Sequence, residues 1–176
     1  RGVPPEVPRG RPAVSAPRGA SEEVRRRVVV VTVARLHPTR TPPLIKTYSG
    51  SCHCGAVRFE ADLDLAQPTF RCNCSICRRT RFWAAVALPS AFRLLQGRDD
   101  LVRYRFNTRR NEHWFCRHCG VRAFGHGTDT PMGEMYGVNV GCREGLSDEE
   151  LDRIPIVCVD GLRDDWQHAP IHHGHM

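Results

Sequence analysis

The chain has 176 residues, 40% of them hydrophobic and 26% charged, with a formal net charge of +7. These values fit a globular protein of one domain with room for a tail, and no stretch approaches the roughly 20 apolar residues that a membrane-spanning helix needs. The basic excess does not make the whole chain a polyanion binder: residues 1–46 carry ten Lys/Arg against Glu6, Glu22 and Glu23, whereas residues 47–176 balance the remaining 16 basic with 16 acidic side chains.

Residues 1–46 also hold eight of the 13 prolines and no cysteine. Pro4-Pro5, Pro8, Pro12, Pro17 and Pro42-Pro43 suit neither a helix interior nor a central strand, so a largely disordered basic tail is expected. Within it, Val28–Val33 is an apolar run fit for one short strand or helix. Arg35 ends it early and no small-residue cleavage site follows cleanly, which argues against a secretory leader and for a soluble, cytoplasmic protein. The body is expected over 47–170, and 171–176 as a frayed end whose His172, His173 and His175 carry little weight as ligands.

From residue 47 the texture turns to short runs of period two. Ala56–Leu63 sets Val57, Phe59 and Ala61 on one face against Arg58, Glu60 and Asp62 on the other. Trp83–Leu88 and Phe92–Leu95 follow, then Leu101–Phe106, where Leu101, Arg103 and Arg105 alternate with Val102, Tyr104 and Phe106. His113–Cys116, Val121–Gly125, Glu134–Cys142 and Ile156–Val159 complete the predicted strands, with turn residues at 97–100 and 125–133 between them. One short helix is predicted: Ser147 as N-cap, Glu150 three residues on, then Leu151 to Arg153, stopped before Pro155. The sum is a mainly β domain of roughly 120 residues with one modest core.

Seven of the nine cysteines fall into three groups, Cys52-His53-Cys54-Gly55, Cys72-Asn73-Cys74-Ser75-Ile76-Cys77 and Cys116-Arg117-His118-Cys119-Gly120. Clustering of this kind in a chain with no convincing signal peptide points to reduced thiols and metal. On extended backbone Cys52 and Cys54 share a face, as do Cys72 and Cys74. A two-residue turn folds Cys77 back toward Cys74 and Cys119 toward Cys116, and Gly55 and Gly120 can take the positive φ of such knuckles. Seven divides as four plus three. Cys52, Cys54, Cys116 and Cys119 can close a structural zinc site, while Cys72, Cys74 and Cys77 leave one coordination position open, the arrangement of catalytic zinc. Two other readings of the trio stand beside this one: a second structural zinc completed by His53, His113, His118 or His126, and redox use of the paired thiols. Cys142 and Cys158 read as small core residues, Cys142 continuing the alternation of Val138 and Val140.

Arg71, Arg78, Arg79 and Arg81 crowd the trio, with no acid between Asp64 and Asp99. They would offset the charge of a zinc–thiolate centre, and Arg78, Arg79 and Arg81 are the candidates to hold a substrate carboxylate. A solvated, arginine-rich face is the plainer alternative.

The blocks Gly50-Ser51-Cys52-His53-Cys54-Gly55-Ala56-Val57-Arg58-Phe59, Arg71-Cys72-Asn73-Cys74-Ser75-Ile76-Cys77-Arg78-Arg79 and Phe115-Cys116-Arg117-His118-Cys119-Gly120-Val121 resemble the glutathione-dependent formaldehyde-activating enzyme family. That family includes the domain of centromere protein V. Asp160-Gly161 followed by Trp166 fits the same pattern, and the likeness runs from residue 47 to about residue 170. The resemblance implies an Mss4-like zinc-binding β scaffold, a structural zinc on Cys52, Cys54, Cys116 and Cys119, and a catalytic zinc on Cys72, Cys74 and Cys77. It implies the joining of glutathione to formaldehyde as S-hydroxymethylglutathione. One departure is Thr80-Arg81-Phe82-Trp83, bulk where many members have a glycine.

The function expected is that of a zinc-dependent carbon–sulfur lyase type of enzyme, with two zinc ions, a small-molecule thiol such as glutathione and a small aldehyde. The alternative is a non-catalytic zinc-stabilised module whose basic tail contacts nucleic acid, microtubules or another acidic polymer. A methionine sulfoxide reductase on the same scaffold ranks third, because neither Cys142 nor Cys158 stands in that family's catalytic context.

Overall fold

A computed structural model describes residues 44–176; the Val28–Val33 run and nearly all of the basic tail lie outside the described residues. Among the described residues ten strands make two sheets. In the smaller, β1 (Lys46–Ser51), β2 (Arg58–Leu63) and β5 (Phe92–Gln96) lie in that order, all antiparallel. The larger runs β10 (Ile156–Val159), β3 (Thr69–Cys72), β4 (Trp83–Ala87), β9 (Met135–Asn139), β8 (Arg122–Gly127), β7 (Asn111–Cys116) and β6 (Leu101–Tyr104). Its neighbours are antiparallel except β10 and β3, which pair in parallel with Val159 opposite Cys72. The mainly β expectation is met.

The period-two faces explain where the core sits. Val57, Phe59 and Ala61 are fully buried and Leu63 nearly so. They pack with Ala85 and Ala87 of β4, Ala123 and Phe124 of β8, and Val138 of β9, so the main core lies between the two sheets. Phe92 stacks on Tyr136 with centroids 4.2 Å apart and touches Phe124 at 4.8 Å, joining the sheets by aromatic contacts. Such pairs add about 0.5–1.5 kcal/mol beyond the area they bury. A second, smaller cluster gathers Cys72, Cys77, Phe82, Ala84 and Val159 at the far end. β6 is the strand whose alternation misleads: Val102 and Tyr104 are about half exposed on an edge that no other strand among the described residues pairs with.

Two short α-helices are present among the described residues where one was expected. α2 (Asp148–Arg153) is the predicted one, and its capping box is complete: Ser147 Oγ accepts from the Glu150 N–H and Glu150 accepts from the Ser147 N–H. The other, α1 (Ser75–Thr80), replaces the two-residue turn read between Cys74 and Cys77. The spacing fits both conformations, because residues three apart meet on one side of a helix. β1 and β3 also had no sequence signal. Lys46–Ser51 buries only Gly50, and Thr69–Cys72 is four residues long, so neither shows a periodic face. At the other end, β9 stops at Asn139 and a 3-10 turn carries Val140–Cys142, yet Val138, Val140 and Cys142 are all buried as the alternation required.

Candidate metal centres

Two turns of matching backbone carry the first group. In the β1–β2 turn the Cys52 N–H bonds to the Val57 carbonyl (3.0 Å) and the Gly55 N–H to the Cys52 carbonyl (3.0 Å). In the β7–β8 turn the Cys116 N–H bonds to the Val121 carbonyl (3.0 Å) and the Gly120 N–H to the Cys116 carbonyl (2.9 Å). Gly55 and Gly120 sit at φ +75° and +71°, so both knuckles use the glycine for the left-handed step. Cys52 and Cys54 are therefore presented by a turn and not by the extended strand read from their spacing. The correction has a simple cause: a knuckle must fold its backbone around the sulfurs. Cys52 Sγ lies 3.5 Å from Cys54 Sγ, which lies 3.6 Å from Cys116 Sγ, and with Cys119 all four sulfurs fall within 4.8 Å of one another. Cys142 is buried behind them and outside the group; burial pushes its thiol up to about 12, so it stays a neutral core residue.

The trio has a different frame. Cys72 ends β3, Cys74 is the N-cap of α1, and Cys77 lies within α1. Extended pairing of Cys72 with Cys74 is again corrected, since the chain turns into the helix after Asn73. The three sulfurs lie within 4.8 Å of one another, and the Cys74 N–H donates to Cys72 Sγ (3.3 Å). Thiol hydrogen bonds from Cys72 and Cys77 lower the Cys74 thiol well below its ordinary range. Cys72 and Cys77 are buried and Cys74 is half-buried.

Asn73 locks this corner. Its Nδ2 donates to Asp160 Oδ1 (2.7 Å) while its Oδ1 accepts from the Leu162 N–H (2.9 Å). Asp160 also accepts from Arg163 (2.7 Å). These donors, that of Asn73 first, hold the Asp160 carboxyl below its usual range. The clamp presses Gly161 onto the trio so closely that a Cβ there would stand 2.5 Å from Cys72 Sγ.

Among the described residues no histidine or carboxylate joins either sulfur group. His118 pairs with Asp100 (2.7 Å) and His126 with Glu134 (2.9 Å), and His53 is exposed. His113 is buried against the Phe106 ring with neither ring nitrogen bonded, and burial lowers its imidazole to about 4.

The arginines separate. Arg78 and Arg81 line a cavity of about 190 Å³ beside the trio, together with Arg71, Cys72, Cys77, Phe82 and Met176. Arg79 turns away and donates to the Ser75 carbonyl (2.8 Å). In the segment 171–176, expected as a frayed end, Met176 lines that cavity: Arg71 donates to the Met176 carbonyl (2.8 Å) and Arg81 to that of His175. Arg81 is also the C-cap of α1 at φ +50° and ψ +41°, the left-handed conformation that favours glycine.

Sequence reasoning missed Arg122. It opens β8, is buried, and reaches the trio with Nη1 3.6 Å from Cys77 Sγ. The available signal was its place two residues before Phe124, on the face of a predicted strand that turns inward.

A model of the family described as glutathione-dependent formaldehyde-activating enzyme matches residues 47–154. A Halomonas elongata protein, provisionally named a glutathione-dependent formaldehyde-activating enzyme, is 61% identical over 31 residues. That alignment spans 18% of this chain and 20% of the relative's length. The crystal structure of a Rhodobacter sphaeroides protein superposes with a TM-score of 0.54 at 40% identity, covering 62% of this chain and 99% of that one.

Proposed function

The chain belongs to the glutathione-dependent formaldehyde-activating enzyme family, and from that premise we propose that Cys72, Cys74 and Cys77 form a catalytic zinc centre. There a glutathione-like thiol adds to formaldehyde or a similar small aldehyde, or the adduct is split. Cys52, Cys54, Cys116 and Cys119 hold a structural zinc. The observation that carries the reading is the contrast between the groups: one closed by four sulfurs, the other left at three beside an arginine-lined cavity.

The donors fit zinc. A tetrahedral site with Zn–S bonds near 2.3 Å sets its sulfurs about 3.8 Å apart; the spacings of 3.5 and 3.6 Å in the four-cysteine group are close to that, and the trio's sulfurs lie within 4.8 Å of one another. All-thiolate donors suit soft or borderline metals and not magnesium or calcium. Zinc bound by three thiolates supplies Lewis acidity and an exchangeable coordination position.

The protein's own part is binding and orientation. In the addition, the thiol sulfur bonds to the aldehyde carbon, the C=O π bond opens, and the thiol proton ends on the new hydroxyl. Arg71, Arg78 and Arg81 would take the carboxylates of the thiol, in place of the main-chain carbonyls of His175 and Met176. Phe82 keeps the inner wall of the cavity apolar. The soluble-lyase reading needs no membrane, and no described helix is long and apolar enough to cross one.

Two substitutions test the arrangement. Arg81→Gly removes a donor and relieves the left-handed backbone, so it is expected to raise stability by up to about 1 kcal/mol. The same change should raise KM for glutathione about 10- to 100-fold with kcat nearly kept. A melting curve and steady-state kinetics with 2-mercaptoethanol as the uncharged control read both effects. An unchanged KM for glutathione removes Arg81 from substrate binding. Gly161→Ala is expected to displace Cys72 and cost the trio its metal, leaving one zinc per chain by elemental analysis where the parent holds two. Retention of both would mean that the 160–162 loop yields to the methyl group.

A further inference from the structure

Two arginines among the described residues are buried without a carboxylate: Arg143, whose guanidinium lies over the Tyr48 ring, and Arg122, the one of the two that meets a sulfur. Arg122 is 7% exposed, and none of the ion pairs among the described residues includes it. Its guanidinium lies 3.6 Å above the Phe82 ring, Nη1 points at Cys77 Sγ from 3.6 Å, and Nε has no partner. Gly125 makes room for it: a Cβ there would stand 2.8 Å from Nη2. Arginine does not shed its proton in proteins, and an uncompensated buried charge is strongly unfavourable. The negative charge that the geometry offers is that of the trio. Three thiolates around a dication leave one net negative charge, and a guanidinium cancels it.

Taking the trio as a zinc centre, as above, we propose that Arg122 is a positioning residue, the fixed counter-ion of the Cys72–Cys74–Cys77 centre. Its charge would offset that of the three sulfurs with their metal, so that an anionic thiol substrate would approach the centre against no net repulsion. The residue also joins the two centres mechanically. It directly follows the Cys116–Val121 knuckle in sequence, yet its side chain ends at the trio, so the four-cysteine site anchors the backbone from which the counter-ion projects.

The test compares the parent with Arg122→Met, which keeps bulk and loses charge, and Arg122→Lys, which keeps charge and loses the planar stack. Zinc is titrated away with a colorimetric chelator and glutathione affinity is measured by calorimetry. Expected for Arg122→Met is zinc at one site held at least about tenfold more weakly, with the other site unchanged as internal control, and glutathione bound at least about tenfold more weakly. Arg122→Lys should recover most of both losses, which a purely packing role would not allow. If Arg122→Met does not fold, the lysine variant decides: near-parental zinc and glutathione affinity support the counter-ion role, and losses of tenfold or more in a folded protein overturn it. Parental affinities in Arg122→Met overturn this inference alone. A parent without metal at the trio overturns it together with the functional reading.

Discussion

Cys116→Ser is expected to abolish the folded body, seen as loss of the cooperative thermal transition and of the near-ultraviolet circular dichroism of the buried aromatics. Cys116 ends β7 in the seven-stranded sheet and is almost fully buried. Its sulfur meets Cys54 in the β1–β2 turn of the three-stranded sheet, 62 residues earlier in the chain. The four-sulfur group therefore fastens one sheet to the other at the edge of the core they share. Structural zinc in such a knuckle contributes on the order of 10–16 kcal/mol of apparent binding energy. A whole domain is stable by only about 5–15 kcal/mol. Losing one thiolate of four takes a large share of that contribution and leaves a hydroxyl buried among the remaining sulfurs. A cooperative transition near the parental temperature would show that the group does not hold the sheets together.

Cys74→Ser should do the opposite. Cys74 is half-buried at the N-cap of α1, and its trio belongs to the small outer cluster, away from the shared core. Serine is itself a favoured N-cap, so the helix start loses nothing. The substitution removes one of only three donors at the open centre. Partners that merely orient metal ligands are worth about 10–100-fold in affinity or activity, so loss of a ligand should cost at least about a hundredfold in thiol–aldehyde turnover. Far-ultraviolet circular dichroism and the melting temperature should stay near the parent's. A matching collapse of fold in both variants would instead mean two structural sites, the reading that a fourth histidine ligand would have supported. The placement of His53, His113, His118 and His126 outside the trio's group of sulfurs favours the open centre.

Much of this was legible in one sequence because sulfur spacing carries strong geometric content. The division of seven cysteines into four and three corresponds to two groups of converging sulfurs, and the β2 alternation marked its buried face residue by residue. The backbone between the sulfurs was not legible. A three-residue offset serves a tight turn and a helix equally, so α1 escaped, and two-residue spacing suggested strands where knuckles stand. Arg78, Arg79 and Arg81 could not be told apart by composition; the left-handed cap at Arg81 and the return of Arg79 to its own helix separate them. Arg122 was hidden for a different reason. A single arginine in a strand usually faces water, and only the approach of α1 from a distant part of the chain gives it a partner. The basic tail's polymer-binding alternative lies outside the described residues.

The most direct test is zinc per chain in native protein purified without chelator, followed through a chelator titration. Two equivalents, one released readily with the trio intact as free thiols and one retained until unfolding, are the expected result. A protein that carries no zinc, or whose clustered sulfurs prove to be joined as disulfides, would contradict the account at its root.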